Sequence, residues 1–348
     1  MRNVWTIAWA TYSDTARRPL YYILMAVFSV LVYSSHFLTL FTFNQEANMV
    51  REMGVASLSL YGFLIFVILA PIVVTSELED RTAITLLAKP VTRSAFLLGK
   101  YLGLLGAVFM GVLTLAGVLF FTLWWMARGE IFGCEPDYAW LCLCSGLLLI
   151  VGAIVATVRA VRRESDAARR VSFVLYVAGV VLLIVAATFA SGNRGHADVL
   201  WMGSSSFKSS SVWTILGAFM RENGVIIIEG FFLSFLQIAL LGSICVSFSA
   251  FLPPVVSVSG TALAFVLGNL ASYLLSSVES GGRAIPSGIG RGIYYLMPNL
   301  GYFNLQTHFS EGSIISPGYL ALAFLHAALY TTIVFLVSCS LFERREIR

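Results

Sequence analysis

Eight stretches of this chain, each about twenty residues or longer, are built almost entirely of apolar side chains. They cover 20–43, 57–76, 96–126, 139–158, 171–190, 226–252, 255–276 and 317–342. A helix needs about 20 apolar residues to cross the hydrocarbon core of a bilayer. No water reaches backbone groups there, so each run must satisfy its own N–H and C=O groups and is expected to be an α-helix. Composition agrees: 58% of the 348 residues are hydrophobic and 11% are charged, against about 25% charged in a soluble domain. The expected fold class is all-α, a polytopic membrane helical bundle of about eight transmembrane helices forming a single domain over 1–348.

Several other functions find no support. The net charge of +4 is small and makes no case for nucleic acid. The first apolar run starts near Leu20, is too long for a signal core and has no convincing small-residue cleavage site, so no cleaved leader is expected. The five cysteines are scattered. Cys142 and Cys144 lie two apart in an apolar helix and face different directions, so neither a metal site nor a disulfide is expected. Gly99-Lys100 is followed by Tyr101, and Ser94 stands where a phosphate-binding loop needs its first glycine. There is no H-E-x-x-H, and no G-x-S-x-G with a persuasive acid and base. No catalytic residue and no cofactor are expected.

Charge sets the orientation. With a cytoplasmic N-terminus, 15 of the 22 basic residues fall on inside segments, as the positive-inside rule requires. The run RAVRRESDAARR at 159–170 is the largest contributor. Both termini are then cytoplasmic, which needs an even number of spans. Pro253-Pro254 removes two donors and ends the sixth run, predicting a tight hairpin with the seventh. Residues 4–18 place Val4, Ile7 and Ala8 at helical spacing among Trp5, Trp9 and Tyr12, with Asp14, Arg17 and Arg18 following. That pattern predicts an amphipathic helix lying along the cytoplasmic leaflet, with Pro19 turning the chain into the bilayer. Residues 191–225 are Gly/Ser-rich and read as an exposed loop. Residues 277–316 carry Tyr294, Tyr295, Tyr302 and Phe303, which suit a membrane interface.

The most unusual segment is 77–103, ELEDRTAITLLAKPVTRSAFLLGKYLG. It puts a charged, structured block between two spans, where a membrane protein can dock a soluble partner. Glu77, Glu79 and Asp80 read as an acidic helix start, favourable at the positive end of a helix dipole. Arg81, Lys89 and Arg93 offer charges to a partner, and Pro90 would break a short helix. The alternative is that these basic residues only anchor the topology. Inside the spans the polar candidates are His36, Glu229, Gln237, Asn269 and His326. Buried groups of this kind either line a pathway or bond between helices; Gln237 and Asn269 could bond across the Pro-Pro hairpin.

Taken together, the Arg-Arg-Pro before the first span, the block E-x-E-D-R-T-x-x-x-L-L-A-K-P-V-T-R-x-x-F-L-L-G-K, the Pro-Pro hairpin and the closing Phe342-Glu343-Arg344-Arg345-Glu346 resemble the permease subunits of type-2 export ABC transporters. The resemblance is greatest to their multi-copper-maturation and gliding-type branch. It covers roughly 1–126 and 226–348. The family usually has six spans, so 139–190 reads as an additional transmembrane hairpin. The resemblance implies that residues 77–95 are a coupling element seated on a separate ATP-binding-cassette ATPase, which alone hydrolyses ATP. It further implies a homodimer or heterodimer of permeases in contact with membrane lipid, in the plasma (bacterial inner) membrane. The expected function is the transmembrane subunit of an ATP-driven exporter. The alternatives are an ion-coupled secondary transporter, which calls for an unwound mid-membrane helix with paired acids, and a membrane enzyme or assembly scaffold.

Overall fold

The computed structural model describes residues 2–35, 46–79, 92–132, 225–279, 298–303 and 315–344. The expected hairpin 139–190, with its basic loop 159–170, lies outside them, as do His36, Asp80, Arg81, Lys89 and Pro90. The described residues form α1 (Arg2–Arg17), α2 (Pro19–Ser34), α3 (Glu46–Glu79), α4 (Arg93–Phe132), α5 (Val225–Phe251), α6 (Pro254–Glu279), a 3-10 turn (Leu300–Phe303) and α7 (Pro317–Arg344). Among them, four helices are long and apolar enough to cross a membrane, or five if α1 and α2 count as one bent span. The chain is thus a helical, multi-pass membrane protein.

The start of the chain shows why α1 and α2 are separate. Arg18 is extended, at φ −75° and ψ 130°, because a residue before proline is pushed out of the helical region. Pro19 then fits the first turn of α2, where its missing N–H costs nothing. The two helices meet at 65°, and the Arg18 guanidinium reaches back to Asp14 at 2.9 Å. Ala8, Thr11 and Thr15 form one buried stripe of α1, following the three-and-four spacing of a helix face. That stripe lies on the first half of α4. At Gly103 the Ala8 carbonyl and Thr11 side chain come so close that no Cβ would fit between. The opposite face leaves Trp5 and Trp9 exposed, with Trp9 stacked on Tyr12 at 5.5 Å.

The centre of the bundle is α3 and α5, which run parallel. Ser59 bonds Ser234 at 3.0 Å, the Cys245 thiol donates to the Phe66 carbonyl at 3.3 Å, and Thr75 donates to the Ser249 carbonyl at 3.2 Å. Helix α4 runs antiparallel to both: the Phe66 and Tyr101 rings stack at 6.4 Å, and the Tyr101 hydroxyl donates to the Ala239 carbonyl at 2.9 Å. Tyr61, Phe66, Leu69, Leu97, Leu104, Leu115 and Leu119 are fully buried between these helices. The Tyr21 hydroxyl holds α2 to α4 through the Ala107 carbonyl at 2.9 Å. Phe63 of α3 stacks on Phe265 of α6 at 4.4 Å. Helix α7 is the outlier: Leu322, Leu325, Leu329 and Leu336 are all more than half exposed.

Two helices extend beyond the sequence reading at both ends. The helix expected at 57–76 begins at Glu46 and ends at Glu79, and the one expected at 96–126 spans Arg93–Phe132. The reason is the same in each case. Hydropathy falls where charges begin, but backbone hydrogen bonding does not. Arg51 continues α3 with its guanidinium bonded to the Asn48 side chain at 2.9 Å, and it is buried rather than looped out. The expected break at Pro253-Pro254 is present, with α5 ending at Phe251 and α6 starting at Pro254.

Candidate functional site

The two ends of the charged block 77–93 fall on the end of α3 and the start of α4. Because these helices are antiparallel, both ends reach the same end of the bundle. Glu77 and Glu79 fall in the last turn of α3 and Arg93 is the first residue of α4. The two acids therefore do not open a helix. They sit at a carbonyl end, where the dipole is negative and a carboxylate is disfavoured. Thr92 starts α4 as its N-cap: its hydroxyl oxygen accepts from the Ala95 N–H at 3.4 Å and its carbonyl from the Phe96 N–H at 3.1 Å. A threonine side chain here satisfies one of the free donors of the first turn.

Two further residues stiffen the start of α4. Lys100 is 4% exposed and its ammonium lies 5.7 Å from the centre of the Phe96 ring, a cation–π distance. Tyr101 is bonded to α5 and packs against Phe335 of α7 with ring centres 4.8 Å apart. The helix that receives the charged block is thus held by α1, α3, α5 and α7.

The polar candidates inside the spans do not come together in one place. Glu229 on α5 is 6% exposed, and its carboxylate accepts from the Ile315 N–H at 3.3 Å, just before α7 begins. It borders an open groove of about 380 Å³ lined otherwise by Ile228, Phe232, Leu320, Ala321 and Phe324. Asn269 does not bond across the Pro-Pro hairpin. Its amide donates to the Phe265 carbonyl of its own helix at 2.8 Å, the local back-bond that short polar side chains make in helices. Gln237 is buried in α5. His326 on α7 sits among Tyr302, Phe303 and Tyr330, with ring centres 5.4, 6.1 and 5.0 Å away. Among the described residues no three His, Cys, Asp or Glu side chains gather to hold a metal ion.

Among the described residues, the polar links that join helices include four neutral hydroxyls, Tyr21, Ser59, Thr75 and Tyr101, beside the Cys245 thiol. Sequence reasoning, searching for ionisable groups, passed over all four. The available signal was a Ser, Thr or Tyr inside an apolar run, since such a group needs a partner in hydrocarbon.

Residues 5–199 match the family described as ABC-2 family transporter protein, more than half of the chain. The matched stretch includes residues 127–199, which the sequence reading had set apart from the family plan, and stops short of 226–348. No curated protein matches the chain.

Proposed function

This chain belongs to the ABC-2 transporter family and is a membrane subunit of an ABC transporter; on that premise we propose that it is an export permease driven through residues 77–95. Membership makes it the membrane component, with ATP hydrolysed on a separate ABC ATPase subunit. The observation that carries the coupling assignment is the shared end of α3 and α4. A charged block delivered there by two core helices can push directly on the bundle. In this reading Glu77, Glu79, Asp80, Arg81, Lys89, Pro90 and Arg93 form the contact surface. The acids at the carbonyl end of α3 favour a basic patch on the ATPase. Two permeases form the working unit, with lipid around them, in the bacterial inner membrane. Closure of the paired ATPases presses on both coupling elements and rocks the permease halves. The block E-x-E-D-R-T and the closing F-E-R-R-E favour the multi-copper-maturation and gliding-type branch.

The topology is compatible with this plan. Helix α4 leaves, and α5 starts, at the same end of the bundle, because Tyr101 meets Ala239 while Phe109 meets Phe231 and Phe235 further along. An even number of crossings fits between them, as a two-span hairpin at 139–190 would supply. With the basic residues counted inside, both termini are cytoplasmic. The ion-coupled alternative draws no support from the described residues: α3, α4, α5 and α7 run without an unwound segment, and such transporters bind their ions at one.

The test is a joint charge reversal, Glu79→Arg with Arg81→Glu. Single surface pairs contribute about 0–1 kcal/mol, so both are changed together. The expected result is loss of co-purification with the ATPase, or ATP hydrolysis without transport, from a permease that still inserts normally. Normal assembly and transport by the doubly reversed protein would overturn the assignment.

A further inference from the structure

The proline pair that ends α5 takes a donor away from a buried carbonyl. In a continuing helix the Ser249 carbonyl would accept from the residue four positions on. That residue is Pro253, which has no N–H. The amide of Leu252 is already given to the Phe248 carbonyl at 2.8 Å. Beyond the turn, the Ser257 hydroxyl lies 3.2 Å from the carbonyls of both Leu252 and Pro253, so the turn satisfies those two locally. Ser249 is served from another helix: the Thr75 hydroxyl donates to its carbonyl at 3.2 Å. Thr75 is 6% exposed and lies in the last stretch of α3, just before the charged block. Further along the same helix pair, the Cys245 thiol reaches the Phe66 carbonyl. Ser249 is also buried, and a buried acceptor left without a donor is costly.

We propose that Thr75 is a positioning residue whose hydroxyl stands in for the missing Pro253 N–H and clamps the exit of α3 to the α5–α6 turn. Displacement of residues 77–93 is then passed to the α5–α6 hairpin through a directional hydrogen bond rather than through sliding apolar contacts. This transmission rests on the coupling reading of 77–93. The clamp itself follows from the Pro253 and Thr75 geometry alone.

Three variants separate the two parts. Thr75→Val keeps the shape and removes the hydroxyl, Thr75→Ser keeps the hydroxyl, and Pro253→Ala returns the N–H. Thermal unfolding of the permease in detergent is the first readout. Thr75→Val is expected to lower the midpoint by a few degrees and Thr75→Ser to leave it near the parent. In a Pro253→Ala background the Thr75→Val penalty should vanish. A penalty that persists there overturns the clamp. Should Pro253→Ala not insert, Ser against Val at position 75 decides the same point.

The second readout is amide hydrogen exchange in the permease–ATPase complex, without nucleotide and with ATP plus vanadate. In the parent, peptides covering 77–93 and 250–258 should both change. In Thr75→Val the change at 77–93 should remain while that at 250–258 falls at least threefold. The Thr75→Val, Pro253→Ala double variant should recover stability without recovering the 250–258 response, which a purely structural role would not produce. An unaltered response at 250–258 in Thr75→Val overturns the transmission. No response at 77–93 in the parent defeats the coupling assignment and the transmission with it, while the unfolding series still decides the clamp.

Discussion

At Gly103 a single added methyl group would run into the Ala8 carbonyl and the Thr11 side chain, whereas at Gly106 the nearest atom is a Tyr12 ring carbon at an ordinary 3.7 Å. The two positions share a helix and differ only in what faces them. Gly103→Ala is therefore expected to destabilise the permease by about 1–3 kcal/mol, the usual cost of overpacking, and to open the Arg17-Arg18 bond to trypsin. Gly106→Ala should be neutral or slightly stabilising, since alanine favours a helix over glycine by about 1 kcal/mol. Thermal unfolding and limited proteolysis of both variants check this. Glu229 allows a second contrast. Glu229→Gln keeps an oxygen for the Ile315 N–H and should preserve both stability and transport. Glu229→Leu leaves that buried donor unpaired, which costs about 1–3 kcal/mol. Loss of transport by a stable Glu229→Gln protein would instead place the carboxylate on the pathway.

At the scale of elements, the helices that matter most are longer than their apolar cores. At about 1.5 Å per residue, α3 with 34 residues and α4 with 40 outrun a core about 30 Å thick. Their ends must project, and the charged block rides on those projections. The Pro253-Pro254 break was legible in the sequence because a proline pair acts locally. The start of α3 at Glu46 was not, because Arg51 is accommodated by Asn48 and by neighbouring helices, which no window of hydropathy contains. The basic run at 159–170 carries the topology argument. Cysteines placed there are expected to resist membrane-impermeant labelling from outside intact cells. Strong labelling would overturn the eight-span plan and the cytoplasmic placement of both termini.

For the whole molecule, the burial is uneven. Helices α3 and α5 lie at the centre, while α7 shows lipid or a partner a face of Leu322, Leu325, Leu329 and Leu336. Two permeases working together, as proposed above, would keep part of their apolar surface for each other, and the exposed face of α7 is compatible with that proposal. The hairpin expected at 139–190 lies outside the described residues but within the stretch that matches the family; from a six-span plan we propose that it packs at the periphery, away from the dimer axis. Cysteines introduced there should give no cross-link between the two permeases, and efficient cross-linking would place the hairpin in the interface instead.

Some of this was decided by the sequence alone. Apolar runs of membrane-crossing length, the turn into α2 set by Arg18 and Pro19, the Pro-Pro break and the charged block at 77–93 are all local, and local patterns survive whatever the chain packs against. The sequence could also place Glu229, Gln237, Asn269 and His326 inside helices. What it could not supply was partners. Thr75 meets Ser249 across 174 positions and Tyr21 meets Ala107 across 86, and nothing in either neighbourhood names the other. The same limit explains the acids of the charged block: their types were plain, but whether Glu77 and Glu79 open one helix or close another depends on how far α3 continues. Only the tertiary structure decides this, because helix ends in a bundle are set by neighbours that satisfy or leave free the last backbone groups.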